Sequence, residues 1–191
     1  MNRYATIFKN WFGYAAVITL LCGIIYVTVQ QTFRASADDP QYQMVGDAAN
    51  AISKGADPKS LTGTTPPLEI SQTLSPYLVI YDKAGHVVAN SAVLNGSALK
   101  IPPGVLDYIQ QHGADHATWQ PQPGVRQAMV AVRATAGGKS YSVVAGRSLF
   151  KVEERIAKLG KQVAFGWAMS LLAMLMVASL QQFAVKRWSL E

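Results

Sequence analysis

His112 and His116 stand four residues apart with Asp115 between them, a spacing at which two imidazoles can grip one metal ion. Gly113 interrupts the pair and ends any helix there, and a metal site needs more ligands than these two, so the sequence reads them as solvated histidines. Ser91, Ser140, Ser142 and the acids form no nucleophile-base pattern at a recognisable turn. Gly137-Gly138 lies between two extended runs and opens no helix, which excludes a phosphate-cradling loop. The single cysteine, Cys22, sits inside an apolar run, so the rest of the chain has no thiol for catalysis, metal binding or a disulfide. The expectation is a protein without enzymatic activity, catalytic residues, metal or cofactor.

Binding chemistry remains. Alternation along a strand puts Tyr77, Val79 and Tyr81 on one face, and Tyr141, Val143 and Ala145 on one face. Arg126 and Arg133, seven apart, fall on opposite faces of their strand, so at most one points inward, where it could pair with a carboxylate. Trp119, Arg133 and Tyr141 are the candidate ligand contacts, although each also reads as an ordinary packing or surface residue.

The elements that must position them begin at Asp39-Pro40, a helix start in which Asp39 caps and Pro40 takes the first helical position. Met44, Val45, Ala48, Ala49 and Ile52 share one face, and Gly55 stops the helix near Lys54. Residues 56–67 read as a loop. The run Tyr77-Leu78-Val79-Ile80-Tyr81, the turn Asp82-Lys83-Ala84-Gly85 and residues 86–91 make a hairpin. Pro102 and Pro103 introduce a short helix through Val105, Leu106 and Ile109 that ends at Gly113. Residues 126–135 and 140–146 flank Ala136-Gly137-Gly138-Lys139 as a second hairpin. The fold class is α+β, an antiparallel sheet with helices packed on it.

Two apolar runs bracket this domain, residues 11–29 and 163–180, and neither holds an ionisable acid or base. At about 1.5 Å per residue each can cross a hydrocarbon core of about 30 Å. Arg3, Lys9 and Ala35-Ser36-Ala37 give the first run a secretory signal's neighbours, but it exceeds the usual 7 to 15 residues, which favours an uncleaved anchor. Arg3 and Lys9 outweigh Arg34 and place the N-terminus in the cytoplasm. Lys151, Arg155, Lys158 and Lys161 against Lys186 and Arg187 argue the other way for the second run. Long translocated domains largely escape the charge rule, so the first helix decides. The expected organisation is a cytoplasmic start at 1–10, spans at 11–29 and 163–180, an extracytoplasmic domain at 30–148, a helical stalk at 149–162 and a cytoplasmic tail at 181–191. The net charge of +6 belongs to the membrane flanks, because residues 30–148 carry nine Lys and Arg against eight Asp and Glu. No concentrated basic face is left for nucleic acid.

The phrase Tyr77-Leu78-Val79-Ile80-Tyr81-Asp82-Lys83-Ala84-Gly85-His86-Val87-Val88-Ala89-Asn90-Ser91 resembles the central hairpin of extracytoplasmic PAS-like sensor domains of the Cache group. Val144-Ala145-Gly146-Arg147-Ser148-Leu149, followed by Val152-Glu153-Glu154-Arg155-Ile156, is similar to the place where such domains enter the second membrane helix of bacterial sensor histidine kinases. The resemblance implies a five-stranded sheet, a ligand pocket against it, dimerisation and a bacterial inner-membrane location. The kinase's linker, phosphorylatable histidine and ATP-binding domain have no counterpart in these 191 residues.

After Ser148, a cap, Leu149, Val152, Ile156, Leu159 and Val163 repeat at three and four, a coiled-coil seam that continues through Gly166, Ser170, Ala173, Val177, Leu180 and Ala184. Its small residues allow close approach in lipid, by a second copy or by the first span. Gly160 costs about 1 kcal/mol relative to Ala in mid-helix and marks a flexible point. The expected function is a membrane-anchored sensor that binds a small molecule or partner and signals through its helices to another membrane protein. The alternative is a structural or accessory anchor that uses the domain as a protein-interaction surface. The lipid bilayer and a homodimer partner are expected on either reading.

Overall fold

The structure, a computed structural model, describes residues 3–63 and 66–188, and the side chains within them except those of residues 3–6, 10 and 182–188. Thr64 and Thr65 of the expected loop, the side chains of Ala184, Lys186 and Arg187, and the end of the tail lie outside the described residues. The chain divides into two compact units, Met1–Phe33 with Glu154–Glu191, and Arg34–Glu153. The second unit starts and ends a few residues after the 30–148 boundary expected from composition.

In the first unit, α1 (Arg3–Ala35) and α4 (Phe150–Trp188) run antiparallel. The indole of Trp11 donates to the Leu171 carbonyl at 3.0 Å, and that of Trp167 to the Thr19 hydroxyl at 2.9 Å. Gly160 faces Tyr26 with room for an ordinary van der Waals contact, and α4 passes through it unbroken. Both helices contain a stretch long and apolar enough to cross a membrane; none of the first stretch and 6% of the second is buried. Among the described residues of α1, those covered, at 7, 11, 15, 18, 22, 26, 29, 30 and 33, follow the helix repeat along one stripe, with 30 at its edge.

The second unit is the α+β domain. It contains α2 (Asp39–Ser53), a 3₁₀ turn (Pro58–Leu61), and strands β1 (Leu68–Glu69), β2 (Tyr77–Asp82), β3 (Val87–Asn90), β4 (Ala92–Leu94) and β5 (Ser97–Ala98). Helix α3 (Pro103–His112) and strands β6 (Ala114–Gln122), β7 (Val125–Ala136) and β8 (Lys139–Ser148) complete it. Five strands form an antiparallel sheet in the order β3-β2-β8-β7-β6, while β1, β4 and β5 form a small separate sheet. Burial of the central strands on both faces explains why Tyr77 to Tyr81 reads as a continuous apolar run.

Helix α2 covers one face, with Val45, Ala48 and Ile52 against Leu78, Ile80, Val130, Val143 and Ala145. Helix α3 and the region of the small β1, β4 and β5 sheet cover the other, where Leu99, Ile101, Leu106 and Ile109 meet Tyr77, Val79, Tyr81 and Met129. Burying a side chain such as Ile52 or Ile109 stabilises by roughly 1.5–3 kcal/mol. Asp39 is the first residue of α2 and no cap; Asp38 precedes the helix and makes no side-chain cap hydrogen bond. Gly113, at φ +90°, ends α3 as its position required, and Gly137-Gly138, at +55° and +75°, makes the two-residue turn between β7 and β8.

Candidate functional site

Strands β7 and β8 carry the candidate site, because their pairing brings Gln127 opposite Ser148 at the point where the sheet gives way to α4. Leu149 donates its amide to the Arg126 carbonyl at 2.9 Å and takes the N-cap position, its carbonyl accepting from the Glu153 amide at 2.9 Å. The Ser148 hydroxyl, one residue earlier than a cap, accepts from the Phe150 amide at 3.3 Å in the turn leading into the helix. The Arg126 guanidinium pairs with the Glu153 carboxylate. Two side chains from the sheet reach the turn at residues 70–74: Gln127 donates to the Ile70 carbonyl at 3.4 Å and Arg147 to the Leu74 carbonyl at 3.1 Å.

Between that turn and the strand ends lies a pocket of about 300 Å³, lined by residues 70–74, Gly124, Val125, Gln127, Ser148 and Phe150. Its floor is the Gln127 amide, 1% exposed, and its rim is hydroxylic and apolar. Glu69 fixes the turn from outside the pocket, accepting from the Ser71 hydroxyl at 2.9 Å and the Gly96 amide at 3.2 Å. Burial, the largest single influence, raises its carboxyl pKa, but the Ser71 hydroxyl and the Asn95, Gly96 and Ser71 amides together outweigh it and hold the group below the ordinary value.

Deeper in the same face, Tyr77 lies across Gly146, its cross-strand partner, and a Cβ at Gly146 would fall 2.3 Å from the tyrosine hydroxyl. That hydroxyl has no hydrogen-bond partner among the described residues, whereas the Tyr81 hydroxyl donates to the Leu99 carbonyl at 2.9 Å. Burial pushes both phenol pKa values up. The contrast makes a prediction. Tyr81→Phe strands a buried carbonyl and should cost about 1 kcal/mol, while Tyr77→Phe removes an unsatisfied hydroxyl and should be neutral or stabilising. Urea unfolding of the two variants measures the difference; equal losses would contradict this account of the core.

The three ligand contacts expected from the sequence do not converge. Trp119 is half-buried on the pocket's side of the sheet and pairs across strands with Gln127. Arg133 is exposed, and its guanidinium donates at 2.6 Å to the Gln110 carbonyl near the end of α3, where a cation complements the helix dipole. Tyr141 packs against the cluster on the opposite face. The serines are structural as well. The Ser91 hydroxyl accepts from the Leu78 amide at 2.8 Å and donates to the Leu78 carbonyl at 3.0 Å, completing the ladder between β2 and β3, and Gln110 holds both Ser140 and Ser142. No group of three or more His, Cys, Asp or Glu side chains could hold a metal ion among the described residues. His112 lies on α3, stacked on Tyr108, and His116 on β6, which separates the pair by element. Asp38 has its pKa raised by burial, which the nearby His116 opposes and Asp39 reinforces.

Of the residues of the expected seam, Leu149, just before α4, and Val152, Ile156, Leu159, Val163 and Ser170 on it are partly covered. Gly166 and Ala173 are exposed instead, and Met174 and Ala178 take the covered positions. Sequence reasoning missed Gln127, whose signal was a polar residue alternating in register with Met129 and Ala131 on a buried strand face. Compared with known proteins, the chain matches no family model and no curated protein.

Proposed function

We propose that the protein is a membrane-anchored sensor module. Its α+β domain lies outside the cytoplasm of a bacterial cell, α1 and α4 cross the inner membrane, and occupancy of the domain is passed along α4 to another membrane protein. The observation that carries this reading is the position of the pocket: Ser148 and Phe150 line it, and they are the residues from which α4 springs. A bound molecule therefore touches the first turn of a helix that runs as one piece to Trp188. A ligand shifts a conformational equilibrium only through contacts that differ between the two states, and contacts with a helix start meet that requirement. The five-stranded sheet with a helix on each face, flanked by two apolar helices, is the layout implied by the Cache-type resemblance and supports the same reading. Homodimerisation through the exposed side of α4, where Gly166 and Ala173 lie, belongs to the proposal.

Transmission can be tested without knowing the ligand. Ser71 lines the pocket from its exposed turn, so Ser71→Trp places an indole in the cavity as a built-in occupant. Hydrogen exchange of the full-length protein in micelles should then change several-fold at the amides of residues 150–160, with the protection of β2, β7 and β8 retained. Unchanged exchange in α4 would contradict the sensor role.

A further inference from the structure

We propose that the occupant of this pocket is a small uncharged molecule with an amide and a short apolar body, recognised by Gln127; the inference rests on the sensor reading above. The pocket contains no ionisable side chain. Of the two arginines beside it, Arg126 is paired with Glu153, and Arg147, which does not line the pocket, spends its Nε on the Leu74 carbonyl at the pocket's edge. A charged ligand would therefore lose its hydration without gaining a counter-charge, a cost that ordinarily excludes it.

The hydroxyl groups at the rim are each engaged on one side. The Ser71 hydroxyl bonds Glu69, Thr73 accepts from the Ser75 amide, and Ser148 accepts from the Phe150 amide. Gln127 is different. A carboxamide offers two N–H donors and a carbonyl, yet the described contacts of this one amount to a single long hydrogen bond of 3.4 Å to the Ile70 carbonyl. A buried amide with spare capacity selects a partner that supplies both a donor and an acceptor, and another amide does so in one plane. Around it, Val125, Leu74 and Phe150 provide an apolar wall. A volume of about 300 Å³ lies at the lower end of ligand pockets and suits a molecule of roughly a dozen non-hydrogen atoms.

The test uses three leucine derivatives of different charge, neutral N-acetyl-leucinamide, the N-acetyl-leucinate anion and the smaller leucinamide cation, which lacks the acetyl group, each at millimolar concentration with the full-length protein in detergent micelles. The thermal midpoint of the domain should rise by about 3 °C with the neutral probe and stay unchanged with the two ions. Gln127→Leu should abolish the rise, Ser71→Trp should abolish it by filling the space, and Tyr141→Phe, on the opposite sheet face, should keep it. An equal or larger rise with either ion, a rise that survives both pocket variants, or no rise with any probe would overturn the inference. The exchange experiment on Ser71→Trp fails or succeeds separately, so loss of the ligand class and loss of the sensor role are distinguishable.

Discussion

Gly146→Val should destabilise the domain by about 3 kcal/mol and lower its thermal midpoint by about 10 °C. A Cβ at this position would lie 2.3 Å from both Cζ and the hydroxyl oxygen of Tyr77 and 2.9 Å from Cε2. The ring cannot step aside cheaply, because Tyr77 is 2% exposed and its strand is held between β3 and β8. Glycine at 146 is thus the complement of a tyrosine at 77, a cross-strand pair in which one residue supplies all the volume. The cost should be coupled: in a Tyr77→Ala background, Gly146→Ala should lose much less than it does alone, with an interaction energy of about 1–3 kcal/mol in a double-mutant cycle. A Gly146→Val variant within about 0.5 kcal/mol of the parent would show that the packing of this face is different.

The second large effect separates a membrane protein from a soluble one. Leu20 and Leu172 are 64% and 55% exposed near the middle of their apolar runs. In water, Leu→Arg at an exposed helix position changes stability by no more than about 0.5 kcal/mol. In a bilayer centre the same change costs about 3 kcal/mol for insertion of the helix, roughly a hundredfold in the equilibrium. Leu172→Arg and Leu20→Arg should therefore each deplete the carbonate-resistant membrane fraction strongly, and the double variant should abolish it. Full retention in the membrane fraction by both single variants would remove the bilayer from the account.

Much of the domain is legible because local chemistry and tertiary structure agree. Gly113 and Gly138 sit where only a positive φ continues the chain, so the end of α3 and the β7 to β8 turn could be placed to within a residue or two. The central strands announce themselves by uninterrupted apolar runs, since both faces are covered. Strand β6 does not. It is an edge strand containing Asp115, His116 and Pro121, its outer positions face solvent, and Pro121 is tolerable there because an edge has an unused side. The small β1, β4 and β5 sheet was also missed, although Asn95-Gly96 between β4 and β5 is a strong hairpin signal and Asn95 takes φ +52°.

The covered residues of α4 follow the heptad frame only part of the way. A heptad frame assumes 3.5 residues per turn, whereas a straight helix has 3.6 and drifts by about 20° per heptad. From Leu149 to Val163 the frame holds; Gly166 is exposed, and beyond it the covered residues are Ser170, Leu171, Met174, Ala178 and Ser179, with Met174 and Ala178 one position later than the expected Ala173 and Val177. The ligand contacts were not legible for another reason. Composition favoured an arginine and aromatics, but Arg133 is taken by α3 and Tyr141 faces the other cluster; Gln127 is the buried polar side chain that lines the pocket, and its neighbours depend on how the turn at residues 70–74 folds back.

The central claim is that a folded domain is held outside the cytoplasm between two membrane-crossing helices. With Cys22 replaced by serine, single cysteines at Asn2 and at exposed Lys139 in the β7 to β8 turn can be treated with a membrane-impermeant maleimide, in cells whose cytoplasmic membrane is intact. The account predicts that Lys139→Cys is labelled at once and Asn2→Cys only after that membrane is permeabilised. Protection of Lys139→Cys until permeabilisation, or labelling of Asn2→Cys before it, would contradict it.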